Sequence, residues 1–253
     1  MPILAVIPAR LGATRLPRKP LRLLGGAPLI AQVWRRVVAL DAIDRCVVAT
    51  DSVEVRDALA GEGAECEMTA AGHRSGTDRV AEVVAREAYR KYDIVLNVQG
   101  DEPFIEEAAV RGAAEIVTSG RFELGTASAP ASAQILLTPG VVKVVTADDG
   151  RALYFSRAPI PFLRDEADAA LQATVVRQHV GVYAYRREAL ARWVALPEHQ
   201  LERIERLEQL RPIAAGMHMG VAATADAAPS GVDTEEDLAQ ANAHWNAFIS
   251  RRG

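Results

Sequence analysis

The sequence predicts an α/β fold, a three-layer sandwich built on a mostly parallel mixed sheet. Three observations predict it. Short β-branched runs at residues 3–7, 46–49 and 94–98 alternate with helix-period patterns at 28–40, 52–60 and 77–89. The strand runs are apolar throughout instead of alternating with polar residues, the mark of burial on both faces and so of parallel pairing. Hydrophobic residues make up 49% and charged residues 25% of 253, enough to bury a sizeable core.

Each element has its own signal. Residues 28–40 place Leu29, Ile30, Val33, Val37 and Val38 at helical spacing, and 77–89 do the same with Val80, Val83, Val84 and Ala88. The 52–60 helix has Thr50 or Asp51 as its candidate cap, and the 77–89 helix has Ser75 or Thr77. After about residue 120 the alternation breaks. Runs at 125–130, 141–145, 152–156 and 181–185 look like strands, and the Pro- and charge-rich 158–176 reads as a loop or small insertion. This half is expected to extend the sheet within one domain, 1–253, as a mixed-sheet lobe at about 125–186. Helices at 201–210 and 234–249 flank a strand near 217–223.

Composition excludes several roles. A formal net charge of −4 gives no bulk attraction for nucleic acid or an anionic membrane. The apolar start lacks the basic segment and long core of a secretory leader, and no apolar stretch approaches the roughly 20 residues that span a bilayer. Cys46 and Cys66 show no CxxC or Cys/His metal spacing. A cytoplasmic protein is expected.

In a parallel sheet, ligands sit beyond the carboxyl ends of the strands, which directs attention to three motifs. IPARLGATRLPRKP, residues 7–20, follows the first strand with four cations, Arg10, Arg15, Arg18 and Lys19. Small residues at 9, 12 and 13 let backbone N–H groups approach a ligand, and Pro17 and Pro20 confine the arc carrying Lys19. The combination suits a triphosphate without being a GxxxxGK[ST] loop; a solvated basic loop is the plainer account. NVQGDEP, residues 97–103, ends the third strand with Gly100 and two hard oxygen donors, Asp101 and Glu102. Mg²⁺ uses one or two carboxylates plus substrate phosphates, so Asp101 needs a distant partner; simple helix initiation is the alternative. GVDTEEDL, residues 231–238, offers Asp233 beside a Thr234/Asp237 capping box, and capping alone also accounts for it.

Two further stretches suit an acidic sugar. ALYFSR, 152–157, and RQHVGVY, 177–183, set a cation and an aromatic beside strand-like runs, and an arginine fork matches a carboxylate; ordinary Tyr packing with a hydrogen-bonded His is the competing account. LERIERLEQLR, 201–211, carries a stripe of Leu201, Ile204, Leu207 and Leu210, with Glu208 at its edge facing a cleft or a salt-bridge partner. No GxGxxG, HExxH or GxSxG occurs.

The order of the motifs is more specific than any one of them. VIPARLGATRLPRKPL, VATD, HRSGTDR, NVQGDEP, ALYFSR, RQHVGVYAYR, LERIERLEQLR and GVDTEEDL follow one another across nearly the whole chain. This series resembles the 3-deoxy-manno-octulosonate (Kdo) cytidylyltransferase family. The resemblance implies a GT-A-like nucleotidyltransferase fold, Mg²⁺ dependence, a homodimer formed through the mixed-sheet lobe, and transfer of CMP from CTP to Kdo for lipopolysaccharide synthesis. It implies that Arg10, Arg15 and Lys19 hold the phosphates, with Lys19, Arg10 and Asp101 catalytic. Ala9 and Gln99 would lie near the nucleotide, Ser75 and Gly76 near base or ribose, and Asp101 and Asp233 would bind Mg²⁺. Arg157, His179, Tyr183, Glu208 and Gln209 would form the sugar pocket. Two positions depart from the commoner pattern: Ala13 stands where Ser is frequent, which removes a phosphate hydrogen bond, and Arg18 where Gly is frequent, which adds charge or points to solvent.

The implied reaction is in-line attack of the anomeric hydroxyl on the α-phosphorus of CTP, driven by positioning and charge neutralisation. A cytidylyltransferase for another acidic sugar, or a non-catalytic nucleotide-sugar binding protein, are the competing classes. The small-molecule partners expected are CTP and Kdo; no nucleic acid and no membrane are expected.

Overall fold

β1, Ile3–Ala9, is the strand around which the first part of the chain assembles; its Leu4, Ala5, Val6 and Ile7 are fully buried. The structure, a computed structural model, describes residues 1–131, 133–226 and 231–250. They divide into two units, Met1–Ile105 with Pro229–Gly253, and Glu106–Ala228.

In the first unit a two-strand ribbon, β2 (Leu23–Leu24) and β3 (Ala27–Pro28), leads into α1, Leu29–Val38. Leu29, Ile30, Val33 and Val37 are buried as the spacing predicts, but Val38 is exposed and the helix stops there, short of residue 40. β4 is Arg45–Thr50, α2 Val53–Leu59, β5 Glu65–Met68, α3 Gly76–Val84 and β6 Ile94–Val98. β6, β1, β4 and β5 lie side by side, every pair parallel. This is the pairing that unbroken apolar runs require.

Two helix boundaries differ from expectation, and at a third the structure decides between the two expected caps. Ser52, not Thr50 or Asp51, caps α2, its Oγ accepting from Val55 N at 3.3 Å, while Thr50 Oγ1 accepts from Ser52 N. Ser75, not Thr77, caps α3 in a reciprocal box with Asp78. The long helix read at 77–89 ends at Val84, because Arg86 turns extended and a 3₁₀ turn follows at Glu87–Tyr89.

On α3, Glu82 accepts from Ala70 N at 2.9 Å, His73 Nε2 at 2.6 Å and Arg86 Nη2 at 2.8 Å. Burial pushes its pKa up, but these donors outweigh it and hold the carboxyl at about 2. They pin the segment that leads into the Ser75 cap.

The second unit begins with α4, Glu107–Thr118, and β7, Leu124–Pro130. There follow α5 (Ala133–Leu136), β8 (Lys143–Thr146), β9 (Ala152–Ser156) and α6 (Ala169–Val175). β10 is Arg177–Arg186, α7 Arg187–Ala195, α8 Gln200–Glu205, α9 Leu210–Ala214 and β11 Met219–Ala223. β11 pairs parallel to β7; β7 with β10, β10 with β8, and β8 with β9 are antiparallel. α4 packs on this sheet so closely that a Cβ at Gly125 would lie 2.5 Å from the carbonyl oxygen of Ala113. Segment 158–176 is more ordered than a loop: Asp165 caps a 3₁₀ turn that runs into α6.

The helix expected over 201–210 is a correction. α8 stops where Arg206 turns left-handed, φ 56°, and α9 begins four residues later. The stripe is broken with it, since Ile204 is 77% exposed while Leu207 and Leu210 are buried. The turn brings two charges inside: Arg211 Nε and Nη2 donate to Glu202 at 2.8 and 2.6 Å.

The chain returns to the first unit as α10, Glu235–Ser250, whose Trp245 and Phe248 pack against Phe104. Cys46 and Cys66 are free thiols. No helix among the described residues is long and apolar enough to cross a membrane.

The buried Arg211–Glu202 pair and the half-buried Glu82 each yield a stability prediction. Arg211→Met strands the Glu202 carboxylate and is expected to cost about 3–5 kcal/mol in urea unfolding. Glu82, with its folded pKa held below the ordinary 4.5, adds stability that is full above that value and fades as pH falls towards about 2. The difference in unfolding free energy between wild type and Glu82→Gln should therefore shrink over that range, and a pH-independent difference would contradict it.

Candidate active site

Pro8, near the end of β1, is where three separated motifs meet. A Cβ at Gly100 would lie 2.8 Å from the Pro8 carbonyl oxygen, and one at Gly76 would lie 3.1 Å from the Pro8 ring. At Gly100 only glycine lets the end of β6 come so close to β1, and at Gly76 a side chain would crowd the Pro8 ring. Ala9, Ser75, Gly76 and Gln99 are thereby gathered at the carboxyl edge of the parallel strands. Ser75 itself is engaged as the α3 cap, its Oγ accepting from Asp78 N at 3.1 Å.

The loop after β1 is anchored by Leu16 and Pro20, both buried. Arg10 is exposed and makes no hydrogen bond to a described residue. Arg18 has a left-handed backbone, φ 58°, ψ 31°, which explains why glycine suits this position. Its guanidinium pairs with Glu54, so its charge is already engaged.

Lys19 is the centre of the site. Its ammonium donates to Asp101 Oδ2 at 2.5 Å and Asp233 Oδ1 at 2.9 Å. Arg15 Nη2 donates to the other oxygen of Asp233 at 2.9 Å. Burial works against the lysine's charge, but the two carboxylates overcome it and raise its pKa. Burial likewise opposes ionisation of Asp233, and Lys19 with Arg15 reverses this and lowers its pKa.

The carboxylates meet because the backbone joins their segments. Val232 N donates to the Asp101 carbonyl at 2.9 Å, one residue before Asp233. Asp237 Oδ2 accepts from Asp233 N and Thr234 N, and Thr234 Oγ1 accepts from Asp237 N, completing the capping box of α10. Arg22 grips Glu235 through Nη1 and Nη2, at 2.5 and 2.7 Å. Helix initiation does not explain Asp101, because α4 starts at Glu107.

Among the described residues, no group of three or more His, Cys, Asp or Glu side chains could hold a metal ion. Asp101 and Asp233 nevertheless fit Mg²⁺: they are hard oxygen donors already converging on one cationic nitrogen, and two carboxylates with substrate phosphates are a usual Mg²⁺ set.

The second unit assembles the other predicted residues. β10 carries an irregularity between Val180 and Tyr183, where its register on β7 shifts. The His179 and Tyr183 rings lie 5.2 Å apart, and Phe155 stands edge-on to His179. Thr126 Oγ1 donates its one proton to the Val182 carbonyl at 2.7 Å, so at 2.9 Å from His179 Nε2 it accepts. The imidazole therefore carries its proton on Nε2 and presents Nδ1 as an acceptor. Burial pushes its pKa down to about 3, keeping it neutral. Burial, then the charge of Glu208, raises the Tyr183 phenol well above its ordinary value. Glu208 and the buried Gln209 stand in the turn between α8 and α9, not on a helical stripe.

Arg157 follows β9 directly. Its Nε donates to the Glu205 carbonyl at 3.0 Å, and its Nη1 to the carbonyls of Pro139 and Gly140 at 3.0 and 3.4 Å. Glu205 also accepts from Arg157 N at 3.0 Å and from Ser156 Oγ at 2.6 Å. Glu205 and Thr126 are the supports that sequence reasoning missed. Glu205 lies three residues before Glu208 in the same motif, and Thr126 is a polar residue inside an apolar strand.

Comparison with known proteins agrees with this architecture. The family model described as Cytidylyltransferase matches residues 4–219. A 3-deoxy-manno-octulosonate cytidylyltransferase of Gemmatimonas aurantiaca is 62% identical over 248 residues, covering 98% of this chain and 96% of its own length. One from Xanthomonas campestris pv. campestris is 43% identical, covering 95% of this chain and 98% of its own. A solved structure of CMP:2-keto-3-deoxy-manno-octonic acid synthetase complexed with CTP superposes with a TM-score of 0.88 at 37% identity, covering 98% of this chain and 99% of that one. Identity of this depth over nearly the full length of both partners carries one conclusion: the chain belongs to the 3-deoxy-manno-octulosonate cytidylyltransferases, within the wider cytidylyltransferase family.

Proposed function

We propose that this chain is a Mg²⁺-dependent enzyme that transfers CMP from CTP to Kdo, releasing pyrophosphate and activating Kdo for lipopolysaccharide synthesis, as a homodimer in the cytoplasm. The observation that carries the reading is the meeting of Asp101, Asp233 and Lys19 at the carboxyl edge of a parallel sheet. The relatives named for this activity, and the CTP complex among the similar structures, support the choice of substrates.

In this reading the triphosphate lies along the loop after β1. Arg10, exposed and without a protein partner among the described residues, is available to phosphate oxygens. Arg15 and Lys19 hold charge beside them. Ala9, Gln99, Ser75 and Gly76 border the nucleotide, where small residues admit it closely. Asp101 and Asp233 would hold Mg²⁺, which when bound neutralises phosphate charge and acidifies a hydroxyl that contacts it. The anomeric hydroxyl oxygen of Kdo gives up its proton to solvent and forms the new bond to the α-phosphorus, the bond from the α-phosphorus to the oxygen bridging it to the β-phosphorus breaks, and pyrophosphate departs with that oxygen. Lys19 and the arginines stabilise charge growing on that leaving group.

Kdo is recognised by the second unit. Arg157 supplies a cation for the sugar carboxylate, and Glu208 and Gln209 accept or donate to hydroxyls. His179, kept neutral by burial, offers Nδ1 to a hydroxyl proton without adding charge.

The test is pyrophosphate release from CTP with and without Kdo, over a panel of acidic-sugar acceptors. Kdo-dependent release is expected; release with no acceptor preference, or none at all, would sink the assignment. Asp101→Asn should lower turnover by about 100-fold or more while thermal unfolding stays cooperative. Near-normal turnover of that variant at limiting Mg²⁺ would reject the metal role.

A further inference from the structure

Lys143 opens β8 directly opposite Ser156 of β9, and its side chain is fully buried. An ammonium has three donors and no acceptor. Here all three go to main-chain carbonyls: Val141 at 2.9 Å, Thr138 at 3.2 Å and Arg157 at 2.5 Å. No carboxylate pairs with it among the described residues. A buried cation without an ion pair is costly, and a packed apolar side chain of similar size would avoid the cost. Burial and the neighbouring Arg157 charge lower its pKa, with only Glu205 opposing them.

What the ammonium does is gather three points of the chain. Thr138 and Val141 are the two ends of a turn, Val141 N donating to Thr138 O at 3.1 Å. Pro139 and Gly140, between them, are the residues whose carbonyls receive Arg157 Nη1. Lys143 thus ties the turn at both ends and the Arg157 backbone at once, and the turn then holds the guanidinium. Glu205 fixes the same arginine from the other side, through its carbonyl and its carboxylate. With Nε and Nη1 engaged, Arg157 Nη2 makes no hydrogen bond to a described residue and remains for a ligand.

We propose that Lys143 is a positioning residue for acceptor recognition: its three hydrogen bonds set the turn at 138–141 and the Arg157 carbonyl so that the Arg157 guanidinium is aimed at the carboxylate of the sugar acid. The proposal rests on the CMP-transfer reading above and adds to it a residue that touches no substrate.

Steady-state kinetics of Lys143→Met test it. The KM for Kdo is expected to rise about 10–100-fold, with kcat and the KM for CTP little changed, since the loss is one of orientation at a single group. The preference for Kdo over its carboxamide should collapse in the variant, whereas a merely structural defect would weaken both acceptors equally. In a double-mutant cycle, Lys143→Met should add little to Arg157→Ala. Lys143→Gln, which keeps an N–H pair without the charge, should recover part of the Kdo affinity. An unchanged Kdo KM, an equal rise in the CTP KM, or full additivity with Arg157→Ala would overturn the proposal. So would failure of both Lys143 variants to fold, which would make the residue a purely structural one. Wild-type protein without Kdo-dependent pyrophosphate release would instead strike the functional reading itself.

Discussion

Two carboxylates from distant parts of the chain stand on one ammonium, and the first unit is arranged around that contact. Asp101 and Asp233 would repel each other without a cation between them. Lys19 supplies it at 2.5 and 2.9 Å, and Arg15 takes the outer oxygen of Asp233. Everything nearby serves the meeting. Gly100 lets β6 end against Pro8, the backbone bond from Val232 draws the 231–238 motif to Asp101, and the α10 capping box fixes the direction of Asp233. A site that already binds one cation between two hard oxygen donors and adds basic residues around it is chemically suited to a metal-bound triphosphate.

The second unit solves a different problem, that of holding charged and aromatic groups still inside a sheet. It does so mainly with the backbone. Lys143 spends all its protons on carbonyls, and Arg177 donates to the carbonyls of Ser128 and Thr224 and to the Ser128 hydroxyl. Arg157 is likewise held by three carbonyls. Main-chain acceptors cannot change rotamer, so cations held this way have defined directions. His179 is fixed by the same economy: one threonine hydroxyl, committed to Val182, sets its tautomer. A neutral imidazole stands beside a phenol that burial and the Glu208 charge keep protonated, so neither ring adds a charge of its own.

Much of this was legible. The β1, β4 and β6 runs followed from strand patterning. The small residues and cations of 7–20 stood out as candidates for what phosphate would require, and Asp101 and Asp233, which meet at Lys19, for what Mg²⁺ would require. The misses have local causes. Helix patterns at 77–89 and 201–210 were read through residues that turn the backbone, Arg86 extended and Arg206 left-handed, and neither residue type announces such a turn. The 158–176 segment was too rich in proline and charge to show α6. Lys143 gave no signal because it acts on backbone carbonyls, which leave no trace in residue identity, and Glu205 was passed over although it shares a motif with Glu208.

The sequence by itself determined the α/β class and the family, because apolar periodicity and the order of the motifs are properties of residue types along a line. It also named the charged groups available to a nucleotide and an acidic sugar. Only the tertiary structure decided which of those groups meet. That Asp233 joins Asp101 at Lys19 while Arg18 turns away to Glu54, and that Arg157 rests on a turn tied by Lys143, depends on hydrogen bonds and close approaches between segments far apart in the chain. Such contacts are fixed by three-dimensional packing and by the demand that buried polar groups be satisfied, neither of which a linear pattern contains.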